Sequence, residues 1–206
     1  IIGLGGTGSY ILDLVAKTPV AEIHLFDDDV FELHNAFRAP GAPSAEDFDE
    51  KDLKKVNFFF RIYSRMHSGI RVHEVRVTSG NIKQLEGFSF VFICVDKNSV
   101  RTEISGELLK LNVPFLDSGL GVDLIRDQLV STVRVTAVTP VMSDHLSRRF
   151  GSEDRIDDLY QSNIQIADLN SINAALAVMK WKRWCGYYQD LKQEHNSFYI
   201  SSTNKI

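Results

Sequence analysis

Two cysteines in 206 residues, Cys94 and Cys185, are too few and too far apart to build a disulfide scaffold. They leave no C-x-x-C pair. The six histidines (His24, His34, His67, His73, His145 and His195) form no spaced cluster, so zinc-ligand spacing is absent. Long apolar runs are also missing. Stretches such as 90–95 are strand-sized, far short of the roughly 20 residues that cross a bilayer. No signal-peptide pattern is visible. Positive charge is not in excess: 23 Lys and Arg face 27 Asp and Glu, a formal −4, with no basic block, which argues against a nucleic-acid binder. These absences point to a reduced cytoplasmic protein.

What is present suits one sizeable α/β core. Apolar residues make up 44% of the chain, and no linker, repeat or low-complexity tract divides it, so a single domain over 1–206 is expected. Ile1-Ile2 reads as a strand end. Buried strands average about five residues, so the chain is expected to begin inside a longer sequence. Tyr10, Ile11, Leu14 and Val15 have helical spacing, stopped by Thr18-Pro19, and 22–26 is a strand. The segment 39–52, rich in Pro, Gly, Ala and acids, predicts a surface loop. Val56, Phe59, Phe60, Tyr63 and Met66 mark one helix face. Strands are predicted at 70–77, at the apolar run 88–95, and at 113–117 ahead of a glycine turn at Gly119-Leu120-Gly121. Val100, Ile104, Leu108 and Leu111 predict a helix between the last two. Alternation at Val133, Val135 and Ala137 predicts an antiparallel strand, and the charged segment 142–160 a mobile crossover loop. Leu169, Ile172, Leu176 and Met179 define a long final helix stopped by Gly186, and 198–201 an edge strand. The fold class is therefore α/β: a Rossmann-like, mostly parallel sheet with helices on both faces and antiparallel C-terminal strands.

Gly3, Gly5 and Gly8, with an extra Gly6, satisfy G-x-G-x-x-G between a strand end and an amphipathic helix. Glycines let the backbone approach a phosphate closely, and the helix then directs its N–H groups and partial positive charge at the anion. Asp27 ends the next strand, 19 residues after Gly8, where a carboxylate accepts hydrogen bonds from ribose hydroxyls. At this point a nicotinamide dehydrogenase and an ATP enzyme look alike. The sequence that follows, Asp27-Asp28-Asp29-Val30-Phe31-Glu32-Leu33-His34-Asn35-Ala36-Phe37-Arg38, separates them. A triphosphate needs cationic donors in fixed geometry; a dehydrogenase needs no arginine there.

This stretch resembles the ThiF/MoeB/HesA family, the adenylation domains of ubiquitin-activating-enzyme-like proteins. Its members show a glycine loop, then D-x-D-x-V-x-x-x-N-x-x-R, a lysine opening a helix, and an aspartate ending a later strand. Here these read Gly3–Gly8, Asp27/Asp29/Val30 with Asn35/Arg38, a lysine among Lys51, Lys54 and Lys55, and Asp96 in Val95-Asp96-Lys97-Asn98-Ser99-Val100-Arg101. The likeness covers roughly residues 1–138. It implies that Gly5, Gly6 and Gly8 cradle ATP, that Asp27 holds the ribose, that Asp29 belongs to the same nucleotide site, and that Asn35 and Arg38 contact the triphosphate. It implies that a lysine neutralises charge near the α-phosphate and that Asp96 holds Mg²⁺. Lys55 is favoured because it directly precedes Val56.

The resemblance also implies a reaction: adenylation of a carboxylate, with ATP going to AMP and pyrophosphate. The expected acceptor is the C-terminus of a ubiquitin-like or sulfur-carrier protein. A homodimer and a conjugating-enzyme partner are implied as well. Many members place a thioester-forming cysteine in the crossover loop, but 139–163 contains none, so the product is expected to pass to another carrier. Cys94, in an apolar strand, and Cys185, at a helix end, read as packing residues. The alternatives are a non-catalytic partner subunit, or an enzyme acting on a peptide or a tRNA base.

Overall fold

The computed structural model describes residues 1–143 and 166–203. Along the chain run α1 (Gly6–Val15), β1 (Ile23–Phe26), α2 (Leu33–Ala36), α3 (Lys55–Tyr63), β2 (Ile70–His73), β3 (Val91–Ile93), α4 (Asn98–Lys110), β4 (Phe115–Ile125), β5 (Gln128–Val138), α5 (Ala167–Trp184) and β6 (Asn196–Ile200). Short 3₁₀ turns occupy Ala45–Phe48 and Ile82–Leu85.

Ile1-Ile2 is the seam of the sheet. Ile2 bridges both Phe26 and Ile93 in parallel, its N–H donating to the Phe92 carbonyl and its carbonyl accepting from Cys94 N–H, each at 2.8 Å. The spatial order is β2, β1, Ile1-Ile2, β3, β4, β5, β6. Pairing is parallel as far as β4 and antiparallel from β4 to β6. Alternation in β3 feeds two cores, as a parallel strand covered on both faces requires. Phe92 belongs to the core that includes Leu12 of α1, Phe59 of α3 and Ala177 of α5, while Val91 and Ile93 belong to the core that includes Ile104 and Leu108 of α4. The fold class matches the sequence expectation.

The departures are local. β2 ends at His73 rather than 77; Val77 is buried but lies outside the strand. β3 is three residues, not the whole run 88–95. In α3 the buried stripe is Val56, Phe58, Phe59 and Tyr63. Phe60, expected on this face, is exposed, and so is Met66, beyond the helix end. No turn forms at 119–121. β4 runs through it to Ile125, and the chain reverses at Arg126-Asp127, whose φ values of 50° and 62° are those of a two-residue hairpin turn. Gly119 is needed for a different reason: the Arg134 guanidinium lies 3.3 Å from where its Cβ would be.

The final helix buries Leu169, as expected, with Asn170, Asn173, Ala174, Ala177 and Val178, while Ile172 and Leu176 are half-buried and Met179 is exposed. Apolar periodicity missed the rest of this face because it carries two asparagines. Gly186, at φ +75°, ends the helix as expected, with Tyr187 N–H donating to the Lys182 carbonyl. The edge strand is β6. The predicted crossover loop lies, from residue 144 to 165, outside the described residues.

Candidate active site

The glycine turn sits at the C-terminal ends of the parallel strands, where open α/β sheets place ligands. Its glycines are not equivalent. A Cβ on Gly8 would lie 1.9 Å from the Gly3 carbonyl oxygen, and one on Gly6 2.2 Å from Asn170 Nδ2. Both are demanded by packing. A Cβ on Gly5 would meet no atom within 4 Å, so this is the open side of the turn. There a backbone can approach a phosphate without steric cost, and the first N–H groups of α1 have no intrahelical partner.

Asp27 anchors this turn. Its carboxylate accepts the Leu4 N–H at 2.6 Å and the Asp29 N–H at 2.9 Å. Burial raises its pKa above the ordinary carboxylate value, while the Leu4 N–H and the Lys55 charge oppose that rise. A carboxylate has about four acceptor positions, so two remain for hydroxyl donors. Asp29 is exposed and takes Lys55 Nζ at 2.7 Å, which holds its carboxyl below the usual range.

Among the three candidate lysines the structure discriminates by direction. Lys55, 6% exposed, points into the acids, whereas Lys54 Nζ binds the Asp28 carbonyl at 2.7 Å and Lys51 is exposed. The backbone explains the difference. Asp29 and Lys55 are joined by Lys55 N–H to the Asp29 carbonyl, which fixes the phase of the helix that Lys55 opens.

Arg38 is half-buried and its Nε has no partner among the described residues. Burial lowers its pKa, and the charge of Asp96, near enough to act on the guanidinium, opposes that shift. Asp96 is exposed and forms no ion pair with another described residue. Asn35 is used locally. Its Oδ1 accepts the Glu32 N–H at 2.8 Å and its Nδ2 faces His34 Nε2 at 3.1 Å, which closes the turn that carries Arg38. The carboxylates of Asp27, Asp28 and Asp29 lie within 4.8 Å of one another. Backbone N–H groups, Lys55 and Arg76 engage part of their oxygens. The exposed carboxylate of Asp96, without an ion pair to another described residue, also offers hard oxygen ligands of the kind Mg²⁺ takes.

Sequence reasoning missed several partners. Arg76 lies beyond the end of β2, and its Nε meets Asp28 at 3.1 Å. Asp117, 3% exposed, binds Arg101 at 2.7 Å and Arg134 at 3.0 Å. Arg101 also donates to the Ser118 and Val95 carbonyls. Arg101 thereby fixes the residue directly before Asp96. His24 and His73 meet at 2.9 Å across β1 and β2, although no spacing in the sequence links them.

Cys94 lies behind the glycine turn, its Cβ 3.2 Å from where a Gly8 Cβ would be, and burial pushes its thiol up to about 12. Cys185 is exposed, which corrects its reading as a packing residue. Since only thiolates alkylate, iodoacetamide at pH 8 is expected to add one label to the folded chain, at Cys185. Two labels by intact mass, before any unfolding, would contradict this placement of Cys94.

The fold and this arrangement define a Rossmann-like α/β domain with a glycine-rich turn and acids at its strand ends. Residues 1–174 match the ThiF family, and the chain belongs to it. It is 26% identical over 135 residues to ubiquitin-like modifier-activating enzyme 5 of Drosophila virilis, covering 58% of this chain and 32% of that protein. The enzyme of the same name in Dictyostelium discoideum is 24% identical over 135 residues, covering 61% of this chain and 35% of the relative. The chain thus spans about a third of these relatives' length. Among solved structures, E. coli MccB with ATP superposes with a TM-score of 0.73 at 17% identity, covering 99% of this chain and 60% of MccB. PaaA gives 0.70 at 18%, covering 99% and 60%. No helix of the described residues is long and apolar enough to cross a membrane.

Proposed function

We propose that residues 1–206 form one adenylation domain, which binds ATP on the glycine turn and adenylates a carboxylate, the C-terminus of a ubiquitin-like or sulfur-carrier protein. The observation that carries this reading is that buried Lys55 pairs with Asp29 beside Asp27, whose carboxylate holds the glycine turn at Leu4, while half-buried Arg38 lies within reach of the charge of exposed Asp96. A dehydrogenase has no use for two cations there. In the reaction a carboxylate oxygen attacks the α-phosphorus. The bond to the bridging oxygen breaks and pyrophosphate leaves with the electron pair. No side-chain nucleophile is required; the domain supplies alignment and charge neutralisation. Asp27 holds the ribose. Arg38, with its orphaned Nε, takes a phosphate oxygen, and Lys55 exchanges Asp29 for phosphate charge. Asp96 would hold Mg²⁺, whose charge would add to the neutralisation of the phosphates.

The domain is proposed to act as a homodimer in the cytoplasm. The half-exposed stripe of Ile172, Leu176 and Met179 on α5 supports such pairing. A conjugating enzyme or sulfur donor would receive the acyl group.

The test combines calorimetry, pyrophosphate exchange with ubiquitin-like acceptors, intact-mass detection of an adenylate, and light scattering. Mg-ATP is expected to bind without competition from NAD, and exchange to depend on an acceptor with a free C-terminal carboxylate. Tight NAD binding without ATP binding would overturn the nucleotide assignment, and a monomer at high micromolar concentration the dimer.

A further inference from the structure

Behind the open face of the glycine turn lies a buried polar connection that the reaction as described does not use. Thr7, in the first turn of α1, donates its hydroxyl to Asn170 Oδ1 at 2.9 Å and accepts from Asn173 Nδ2 at 3.3 Å. Asn173 Nδ2 also reaches the Gly119 carbonyl of β4 at 3.2 Å. Three elements distant in sequence are thus pinned at one point, by side chains that are 9%, 1% and 0% exposed. Asn170 rests directly on Gly6, leaving no room there for even a methyl group.

Stability alone does not account for this choice of residues. Asparagine is a poorer helix former than leucine or alanine, and a buried amide costs free energy unless all its groups are paired. Here Asn170 Nδ2 and Asn173 Oδ1 have no partner among the described residues. What the arrangement gains is geometric. An apolar contact between α1 and α5 tolerates sliding and rotation, whereas directional bonds to one hydroxyl fix both. Rotation of α1 would redirect the free N–H groups at its start, the groups that meet an anion at a helix N-terminus.

We infer that Thr7, Asn170 and Asn173 are positioning residues that set the rotation and height of the glycine turn under the triphosphate. This rests on the ATP reading above. It goes beyond it by assigning the phosphate geometry to residues that touch no substrate, two of them on the final helix.

The experiment compares Thr7→Val, nearly isosteric but without either hydrogen bond, with Thr7→Ser, which keeps the hydroxyl. Affinity for Mg-ATP and for adenosine is measured by calorimetry well below each variant's unfolding temperature. Thr7→Val is expected to lose about tenfold or more in ATP affinity, within the roughly hundredfold that small misplacements cost, with adenosine affinity unchanged. Thr7→Ser should recover the ATP affinity. A purely structural role would weaken ATP and adenosine together, or neither, and either result overturns the inference. If Thr7→Val does not fold, Asn173→Ala is put through the same comparison. A wild-type chain that takes up no ATP removes the functional reading and this inference with it. A wild-type chain that binds ATP, with an unchanged Thr7→Val, removes the inference alone.

Discussion

Replacing Asp96 by alanine is expected to abolish acceptor-dependent pyrophosphate exchange, by about 10²-fold or more, while leaving the chain folded. Both halves of the expectation come from where Asp96 sits. It follows β3 at the ligand end of the sheet, exposed, without an ion pair to another described residue, and close enough to Arg38 for its charge to act there. An exposed side chain with no partner contributes little to the fold, so truncation should change stability by no more than about 0.5 kcal/mol. The function proposed for it is different. It supplies a hard oxygen ligand for Mg²⁺ and a fixed negative charge opposite Arg38. The measurement is exchange activity beside a thermal melt. A folded variant with near-normal exchange would remove Asp96 from the site, and a variant that fails to fold would contradict its described environment.

The second large effect separates two glycines of the same turn. Gly8→Ala is expected to destabilise the domain by about 3 kcal/mol or more, because its methyl group would meet backbone, which cannot swing aside. The obstacle is the Gly3 carbonyl oxygen at 1.9 Å, and behind it Cys94 Cβ at 3.2 Å. Gly3 itself holds a φ of +87°, in the left-handed region, so the turn has no room to rearrange. Gly5→Ala should behave in the opposite way. Its backbone, at φ −69° and ψ −157°, is open to alanine, and the new methyl group meets nothing within 4 Å. The stability cost should stay below about 1 kcal/mol, the scale of an N-cap change. ATP affinity should nevertheless fall about tenfold, because the methyl group stands where backbone must approach phosphate. Urea melts and calorimetry on the two variants read both quantities. Unchanged ATP affinity in Gly5→Ala would place the phosphates elsewhere.

Much of this molecule was legible in the chain itself. Apolar runs with abrupt ends marked the parallel strands, and the residues just past those ends, Gly3, Asp27 and Asp96, are where a ligand is expected. Within the resemblance, the place of Lys55 directly before Val56 favoured it over its neighbours. These features are local: a period of 2 or 3.6 and a strand end are written within a few residues. Other features were decided only when distant segments met. The hairpin turns at Arg126-Asp127, not at the more obvious glycines, because the β4–β5 register carries both strands past Gly119, whose missing side chain admits Arg134. The pairing of β1 with β2 brings His24 to His73, and the end of β2 frees Arg76 to meet Asp28. The clearest case is α5. Its apolar residues suggested a face of Leu169, Ile172, Leu176 and Met179, of which Leu169 alone is buried, yet the buried face also carries Asn170 and Asn173. Periodicity assigns polar residues to water, whereas here they lie against Gly6, Thr7 and Gly119. Whether a buried amide finds its partners depends on residues more than fifty positions away, and that information exists only in the packed structure.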